Sequence, residues 1–332
     1  CPNCPRGIVA IDNLHRIYGD KFIPIALHCY TGDELGTGLH AHANFLGLVG
    51  APSGTVNRTG TTSPMLVVDN KWTFSTGATG NNLDDLSWLD MAQREFEKQA
   101  DAQITIASTF NDDTREFSLD CTVKSAISLT GQNINLMTVV TEDDVLTYQV
   151  NNNHADDNPL LGEWGQGGKY GSSTVYPYYA QHVARAYYGQ TFNGTGGLIP
   201  QAIESGKDYT TTITGTLPTT VNVPDNCHII VMMIDGNSNK VINADQVSLT
   251  GRSGIESVTA NKQAAKVMTA GHKVIVSAEG DLTAEVYNLA GNLVGSASGT
   301  DLVEVDAAGV NGVAIVRVSS AAGISVTKTI IR

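Results

Sequence analysis

The chain has 332 residues, of which 41% are hydrophobic and only 16% are charged, and its formal net charge is −13. This length predicts two or three domains. The negative charge excludes nucleic acid as a partner, because a polyanion would be repelled and the sequence has no basic stripe. The low charged fraction indicates a surface built largely from Gly, Ser, Thr and Asn, which is typical of exported β-rich proteins.

The sequence also bears on export. No apolar run approaches the roughly 18 residues needed to span a bilayer. The sequence begins at Cys1, within its first motif, although a strand is expected to lead into that motif. We therefore expect a leader and a first strand upstream of Cys1. The alternative is a lipoprotein whose mature amino terminus is Cys1. Acylation would then consume the thiol that redox chemistry requires.

The first motif is Cys1-Pro2-Asn3-Cys4, at the start of a predicted helix. The helix is predicted from apolar residues three to four positions apart: Ile8, Ile11, Leu14 and Tyr18. A helix N-terminus favours a thiolate, so we assign Cys1 as the attacking nucleophile and Cys4 as the resolving thiol. An inert disulfide or half of a zinc site are the alternatives. No second ligand pair has the spacing of a zinc site, so we predict no metal and no cofactor.

The next eighty residues mix strand and helix. We predict a buried strand over residues 22–29, a short helix over 40–49, and strands over 53–58 and 65–69. A second strong helix is predicted to open at Asn82, which would cap it ahead of two acidic residues. Its buried stripe would be Leu86, Leu89, Ala92, Phe96 and Ala100.

Residues 1–102 resemble thioredoxin-fold proteins in the order C-x-x-C, helix, strand, helix, proline, hairpin, helix. Thioredoxins carry a cis-proline beside the active-site disulfide, and Pro52 occupies the matching position. The resemblance implies that Pro52 shapes a substrate groove and that the backbone of Ala51 pairs with a substrate strand. An ordinary trans loop proline is the alternative. The dipeptide between the cysteines is Pro-Asn, and the first strand of the fold would lie upstream.

From residue 103 onwards short alternating strands dominate: 104–110, 117–123, 134–141, 146–150, 209–217 and 228–234. Frequent turns between them predict a β-sandwich over residues 103–251. Alternation puts Cys121 on the core face of its strand. Five cysteines occur, the others being Cys29 and Cys227 beside the C-x-x-C pair, so at least one thiol stays unpaired within the chain. A Cys121–Cys227 bridge and two buried unbonded thiols are both consistent with the pattern.

Three weaker candidates accompany these motifs. His28, His40 and His42 lie in the thioredoxin-like part, where each is either a neighbour of the motif or a core residue. Residues 235–239 have some features of a calcium loop, but a hairpin turn explains them better because the Gly is misplaced. Aromatic residues at 164 and 176–179 would stack on carbohydrate or protein, or form a satellite core.

The opening Cys-Pro-Asn-Cys-Pro-Arg-Gly and the β-rich middle are similar to the twenty-eight-kilodalton outer-membrane protein family of Bacteroidetes. The similarity extends through residues 182–186, 206–209 and 226–232. It implies an outer-membrane or cell-surface location and supplies no reaction.

Beyond a predicted boundary at residues 251–254, strands at 273–277, 284–289, 302–305, 313–318 and 325–331 predict a small β-sandwich over 255–332. Residues 285–291, 303–307, 312–318 and 328–332 carry a resemblance to the C-terminal sorting domain of type IX secretion cargo. The resemblance implies that export machinery, rather than a membrane span, brings the chain to the outer membrane. A structural β-domain without a sorting role is the alternative.

The sequence therefore predicts a multidomain chain, α/β followed by all-β, in an oxidising compartment. Its function is either thiol–disulfide exchange on envelope proteins or non-catalytic binding. As an enzyme it would be a thiol–disulfide oxidoreductase using Cys1, Cys4 and Pro52. As a binding protein it would engage a surface protein or a glycan through its β-domains, with the C-x-x-C as a structural disulfide.

Overall fold

The computed structural model describes residues 1–29, 33–36, 40–48, 50–69, 71–76, 78, 80, 82–131, 133–251, 266–288, 292–310, 312–320 and 323–331. The chain divides into two compact units, Cys1–Arg252 and Ser253–Arg332. Residues 252–254 of the predicted boundary lie outside the described residues. A further division of the first unit at residue 102 stays a prediction.

The helices of the described residues are α1 (Pro5–Tyr18), α2 (His40–Phe45) and α3 (Trp88–Phe96). The strands of the first unit are β1 (Gly54–Thr55), β2 (Thr61–Thr62), β3 (Leu66–Val68), β4 (Lys71–Thr73), β5 (Ala102–Phe110), β6 (Glu116–Ser125), β7 (Ile134–Glu142), β8 (Val145–Val150), β9 (Thr174–Ala180), β10 (Val183–Tyr188), β11 (Thr195–Gly196), β12 (Asp208–Thr216), β13 (Cys227–Asp235) and β14 (Val241–Ser248). Those of the second unit are β15 (Lys266–Ala270), β16 (Lys273–Tyr287), β17 (Leu293–Asp306), β18 (Gly312–Ser320) and β19 (Gly323–Ile331).

Helix α3 starts later than predicted. Asn82 caps only a 3-10 turn, Leu83–Asp85, by accepting a hydrogen bond from the backbone of Asp84. Leu86 then returns to an extended conformation, and the α-helix begins after Ser87. Ser87 and Asp90 form a capping box, in which each side chain accepts from the backbone N–H of the other. The prediction that the helix opens at Asn82 is therefore wrong, because a second and stronger cap lies five residues further on.

Two sheets pack face to face in the first unit. One has the strand order β10-β7-β13-β14, with β11 also paired to β7, and the other has the order β12-β6-β5. Alternate residues of β6, such as Leu119 and Cys121, meet Ile229 and Val231 of β13 in one core. The opposite face of β7 and β13 is buried as well, in a second cluster that includes Val139. Strands covered on both faces account for the continuous apolar runs in their sequence.

The second cluster is covered by the N-terminal part of the chain, through Ile23 and Ile25. Residues 22–29 are extended, as the apolar run predicts, but they join no sheet as a full strand. Their single pairing is a parallel bridge between Ala26 and Val183. This segment therefore connects helix α1 to the back of the β7–β13 sheet.

The second unit is a sheet in the order β15-β16-β18-β19, with β17 also paired to β16. The predicted segments 273–277 and 284–289 belong to one long strand, β16, whose register shifts between Ser277 and Asp281; Leu289 itself lies outside the described residues. The hydrophobic core of the second unit includes Val276, Val305 and Val316. The predicted β-rich architecture with several sheets is confirmed.

Candidate thiol site

The Cys1–Cys4 motif forms the entry to helix α1. Cys4 is the N-cap residue, and its carbonyl oxygen accepts from the N–H groups of Gly7 and Ile8 at 2.8 and 3.0 Å. Pro5 occupies the first turn, where its missing N–H leaves no helical bond unmade. Cys1 is exposed and Cys4 is half-buried, and both are unbonded thiols. The motif thus presents one accessible thiol and one sheltered thiol.

The loop that carries Pro52 lies against this motif. The Cys1 thiol donates to the carbonyl oxygen of Ala51 at 3.4 Å, and the Ala51–Pro52 peptide bond is cis. A Cβ added to Gly7 would lie 3.1 Å from the Cβ of Pro52, so the glycine allows the proline to pack on the first turn of α1. The structure therefore brings together all four residues that the sequence nominated, although they are separated by about fifty positions.

Burial separates the chemistry of the two cysteines. The pKa of the Cys4 thiol is raised to about 11, chiefly by burial and in smaller part by the carboxylate of Asp33. Burial also pushes the pKa of Asp33 upward, but hydrogen bonds from His28 and from the N–H of Leu35 outweigh it and leave that pKa low. Cys4 is consequently a protonated thiol at neutral pH, beside a fixed negative charge.

A cavity of about 1310 Å³ opens at this site. Cys1, Cys4 and Pro52 line it together with a third cysteine, Cys29, at the end of the extended segment. Its far wall is the second cluster of the β7–β13 sheet, through residues such as Met232. The thiols therefore face a space large enough for side chains of another polypeptide.

The β-rich part of the first unit holds the motif in place. The side-chain amide of Gln149, in β8, donates to the carbonyl oxygen of Cys1 at 2.7 Å. Two residues beyond β8, the N–H of Asn152 donates to the carbonyl oxygen of Pro2 at 2.9 Å. Sequence reasoning missed Gln149 and Asp33, and no local pattern marks either of them, because their contacts join distant parts of the chain.

A family model described as "Outer membrane protein Omp28" matches residues 40–252, well over half of the chain. The chain belongs to this family. The matched segment includes the similar stretches at 182–186, 206–209 and 226–232, and it begins after the C-x-x-C motif. The resemblance to the outer-membrane protein family is confirmed.

Two of the solved structures similar to this Omp28-family chain come from Porphyromonas gingivalis. "HBP35 of Porphyromonas gingivalis" is 18% identical with a TM-score of 0.50, covering 100% of this chain and 95% of that one. A domain of the outer membrane lipoprotein Omp28 from Porphyromonas gingivalis is 16% identical with a TM-score of 0.26, covering 46% of this chain and 90% of that one. Curated protein sequences give no match.

Membership of the Omp28 family makes this an outer-membrane or cell-surface protein. Among the described residues, no helix combines the length and apolar character needed to cross a bilayer. Within those same residues, no group of three or more His, Cys, Asp or Glu side chains is arranged to hold a metal ion.

The histidines of this Omp28-family chain differ in their surroundings. His28 faces the site through its ring nitrogen Nδ1, 2.9 Å from Asp33. His42 is buried and stacks on Tyr187 with ring centroids 4.1 Å apart, and burial lowers its pKa to about 4. His42 is thus a neutral core residue. The side chain of His40 lies outside the described residues.

The remaining sequence candidates have structural explanations. Cys121 and Cys227 are buried unbonded thiols in the same core. The carboxylate of Asp235 accepts from the N–H of Asn237 and the hydroxyl of Ser238, which makes residues 235–239 a hairpin turn. Of the loop aromatics, Trp164 is buried against Tyr170 and Tyr178 as a satellite core.

Proposed function

We propose that this protein performs thiol–disulfide exchange on envelope proteins, through a thioredoxin-like domain formed by residues 1–102. The observation that carries the proposal is the pairing of an exposed Cys1 thiol with the Ala51 carbonyl, beside a sheltered Cys4. A substrate strand that paired with the Ala51 backbone would bring its own sulfur next to Cys1. Pro52 shapes that groove by packing on Gly7.

The exchange proceeds in two steps. The Cys1 thiolate attacks one sulfur of a substrate disulfide, forming a mixed disulfide and releasing the other substrate sulfur as a thiolate. Cys4 then loses its proton to solvent and attacks the Cys1 sulfur. The bond between Cys1 and the substrate breaks, the substrate leaves as a dithiol, and a Cys1–Cys4 disulfide remains. The substrate has gained the two electrons that the cysteine pair has lost. The raised pKa of Cys4 keeps its thiol protonated at neutral pH, so the first attack falls to Cys1.

The test is the reduction potential of the Cys1–Cys4 pair, together with the reduction of a protein disulfide such as those of insulin. We expect a potential between about −120 and −270 mV, the range of catalytic pairs. Cys1→Ser and Cys4→Ser should abolish turnover, whereas the matched control Cys121→Ser, at a buried thiol outside the site, should retain it. A pair that resists reduction, at a potential below about −300 mV, would contradict the proposal.

Acylation gives a second decisive measurement. If Cys1 is a lipid anchor, its sulfur is a thioether and cannot attack a disulfide. Mass spectrometry of the protein isolated from its own outer membrane distinguishes the two states. A Cys1 peptide that is alkylated by iodoacetamide supports exchange, and a peptide carrying acyl chains overturns it.

A non-catalytic binding role is favoured by a separate observation on the β8–β9 hairpin. Its outer face exposes Leu146, Tyr148, Tyr176 and Tyr179, with Tyr176 71% exposed. Tyrosine rings present a broad apolar surface with a polar tip, which suits protein or glycan ligands. We expect a Tyr176→Ala/Tyr179→Ala variant to lose binding to outer-membrane proteins or glycans, and Cys1→Ser to retain it. Binding that survives the tyrosine changes would exclude this face.

We also propose that residues 255–332 address the chain to the outer membrane through type IX export machinery. The compact β-unit Ser253–Arg332, with its own core, supports an independent address domain. Removal of residues 255–332 in a host with that machinery should leave the protein in the periplasm. Surface display of the shortened chain would refute the role.

A further inference from the structure

Three histidines and a carboxylate meet where helix α1 contacts the start of β10. The ring of His15, in the last turn of α1, lies 5.2 Å from the ring of His182 and 5.3 Å from that of Phe22, measured between centroids. The carboxylate of Asp143 lies 3.3 Å from Nδ1 of His182 and 3.4 Å from Nδ1 of His228. These contacts join the helix, the β7–β8 turn and β13 in one cluster.

His182 is held in place through its backbone. Its N–H donates to the carboxylate of Asp143 at 2.6 Å, and its carbonyl oxygen accepts from the N–H of Ala26 at 2.8 Å. Ala26 belongs to the extended segment 22–29 that follows α1. The ring of His15 is therefore the mobile partner in this contact, and His182 is the fixed one.

The cluster has more imidazole rings than counter-charges. Asp143 is shared between two of the three rings. The acid on the side of the helix is Asp12, one turn before His15. Burial, with a smaller part from Glu163 of the adjacent 3-10 turn, raises the pKa of Asp12 in spite of the charge on His15, so Asp12 loses its own charge early in acid. Imidazole rings gain protons as the pH falls through about 6.5. Acid therefore leaves the cluster with a net positive charge.

The closed contact resists protonation. Burial lowers the pKa of His182, and Asp143 opposes this only in part. Positive charge on His15 or His228 lowers it further. Nε2 of His15 is buried and has no hydrogen-bond partner among the described residues, so no acceptor there stabilises a proton. A separated His182 ring takes up its proton at higher pH than the packed ring, so the closed contact loses stability as the pH falls below about 6.5.

We propose that the His15–His182 pair is an acid-sensitive contact, which holds the last turn of α1 on the sheet while both rings are neutral and opens when both are charged. Two unit charges at the observed 5.2 Å shift an equilibrium about fourfold in bulk water and about two-hundredfold at the dielectric of a protein surface. Leu14 and Phe22, on either side of His15, line the large cavity, so the opening would loosen one wall of that cavity. The inference does not depend on the proposed thiol exchange.

The test is amide hydrogen exchange of the full chain at pH 7.5 and 5.0, read by mass spectrometry and corrected for the pH dependence of the chemical exchange step. We expect protection of residues 11–18 to fall about tenfold or more at pH 5.0. His15→Phe keeps a ring between Phe22 and His182 but cannot be charged, so it should lose this acid response. The matched control His154→Phe changes a half-buried histidine outside the cluster and should retain the response.

A second uncharged variant, His15→Gln, serves if the phenylalanine does not pack, and it should lose the acid response as well. Three outcomes would overturn the inference. Residues 11–18 of the wild type could stay equally protected at both pH values. Both His15 variants could keep the wild-type response. Peptides of β13 could lose protection by the same factor as residues 11–18, which would mean that acid unfolds the whole unit rather than opening this contact.

Discussion

Gly54, two residues after the cis-proline, has no room for a side chain. A Cβ placed there would lie 2.8 Å from Cε2 of Trp88 and 2.9 Å from Cζ2. The indole cannot swing aside freely, because its Nε1 donates to the carbonyl of Thr62 at 3.0 Å and Trp88 opens helix α3. Gly54→Ala should therefore displace either the proline loop or the start of the helix.

The size of the effect follows from two opposing contributions. Overpacking of a rigid contact costs about 1–3 kcal/mol. The loss of unfolded-state freedom on changing Gly to Ala stabilises by about 0.4–1 kcal/mol. We expect Gly54→Ala to be destabilised by about 1–2 kcal/mol. Gly50→Ala is the matched control, because its added Cβ would have nothing within 4 Å. It should be neutral or stabilised by about 0.4–1 kcal/mol.

Urea unfolding followed by tryptophan fluorescence measures both variants, and the rate of Cys1 alkylation reports on the loop. Gly54→Ala should lower the urea midpoint and change the alkylation rate, because the Cys1 thiol donates to the carbonyl of Ala51 in the displaced loop. Gly50→Ala should change neither in that direction. The reasoning is refuted if both variants shift the midpoint with the same sign, or if Gly54→Ala leaves it unchanged.

Three other predictions concern the sheet and its supports. Ile229→Ala should lower the free energy of unfolding in urea by about 2–5 kcal/mol. Ile230→Ala should lower it less, because Ile230 borders the large cavity. Equal losses for the two variants would contradict this reasoning. Since the pKa of His42 is about 4 when folded, the unfolded state binds its proton first, so stability falls as the pH drops from about 6.5 towards 4. Between these two pH values the unfolding free energy of the wild type should fall by up to about 3 kcal/mol because of His42, and His42→Phe should abolish this part of the fall. An unchanged pH profile would show that His42 is not buried as neutral imidazole. Arg185→Met should destabilise the protein by about 3–5 kcal/mol, because the carboxylate of Glu142, which lies 3.1 Å from Nε of Arg185, is then buried without its cation. The double variant Arg185→Met/Glu142→Leu should regain most of this loss in thermal unfolding. A double variant no more stable than the single one would show that the charge is not the cause.

The sheet strands were predictable because their signal is local. Alternation in β5 and β6 follows from one face that meets the core, and the observed bounds differ from the predicted ones by one or two residues. The long apolar run of β13 likewise predicts a strand, although only the structure shows that the N-terminal part covers its second face. Side-chain pattern thus identifies strands, and it does not identify what lies on each face.

The thiol site was predictable only in part. The C-x-x-C and the position of Pro52 are visible in the sequence, the latter through resemblance to a known fold. Cys29 appears isolated there, because nothing in residues 22–29 indicates that they bridge once to β10 and end in the same cavity. The contact of Gln149 with Cys1 joins residues 148 positions apart. Such contacts depend on how the elements pack, and spacing along the chain carries no record of them.

The hydrogen bond from Gln149 to Cys1 makes the β8–β9 hairpin and the thiol motif a linked pair. A ligand that bound the exposed tyrosines of β8 and β9 and shifted β8 would alter the reactivity of Cys1. By thermodynamic reciprocity, oxidation of the thiols would alter the affinity of these tyrosines for the ligand. Ligand binding and thiol oxidation would then be coupled, so that the oxidation state of the surroundings sets how tightly this surface protein binds its partners.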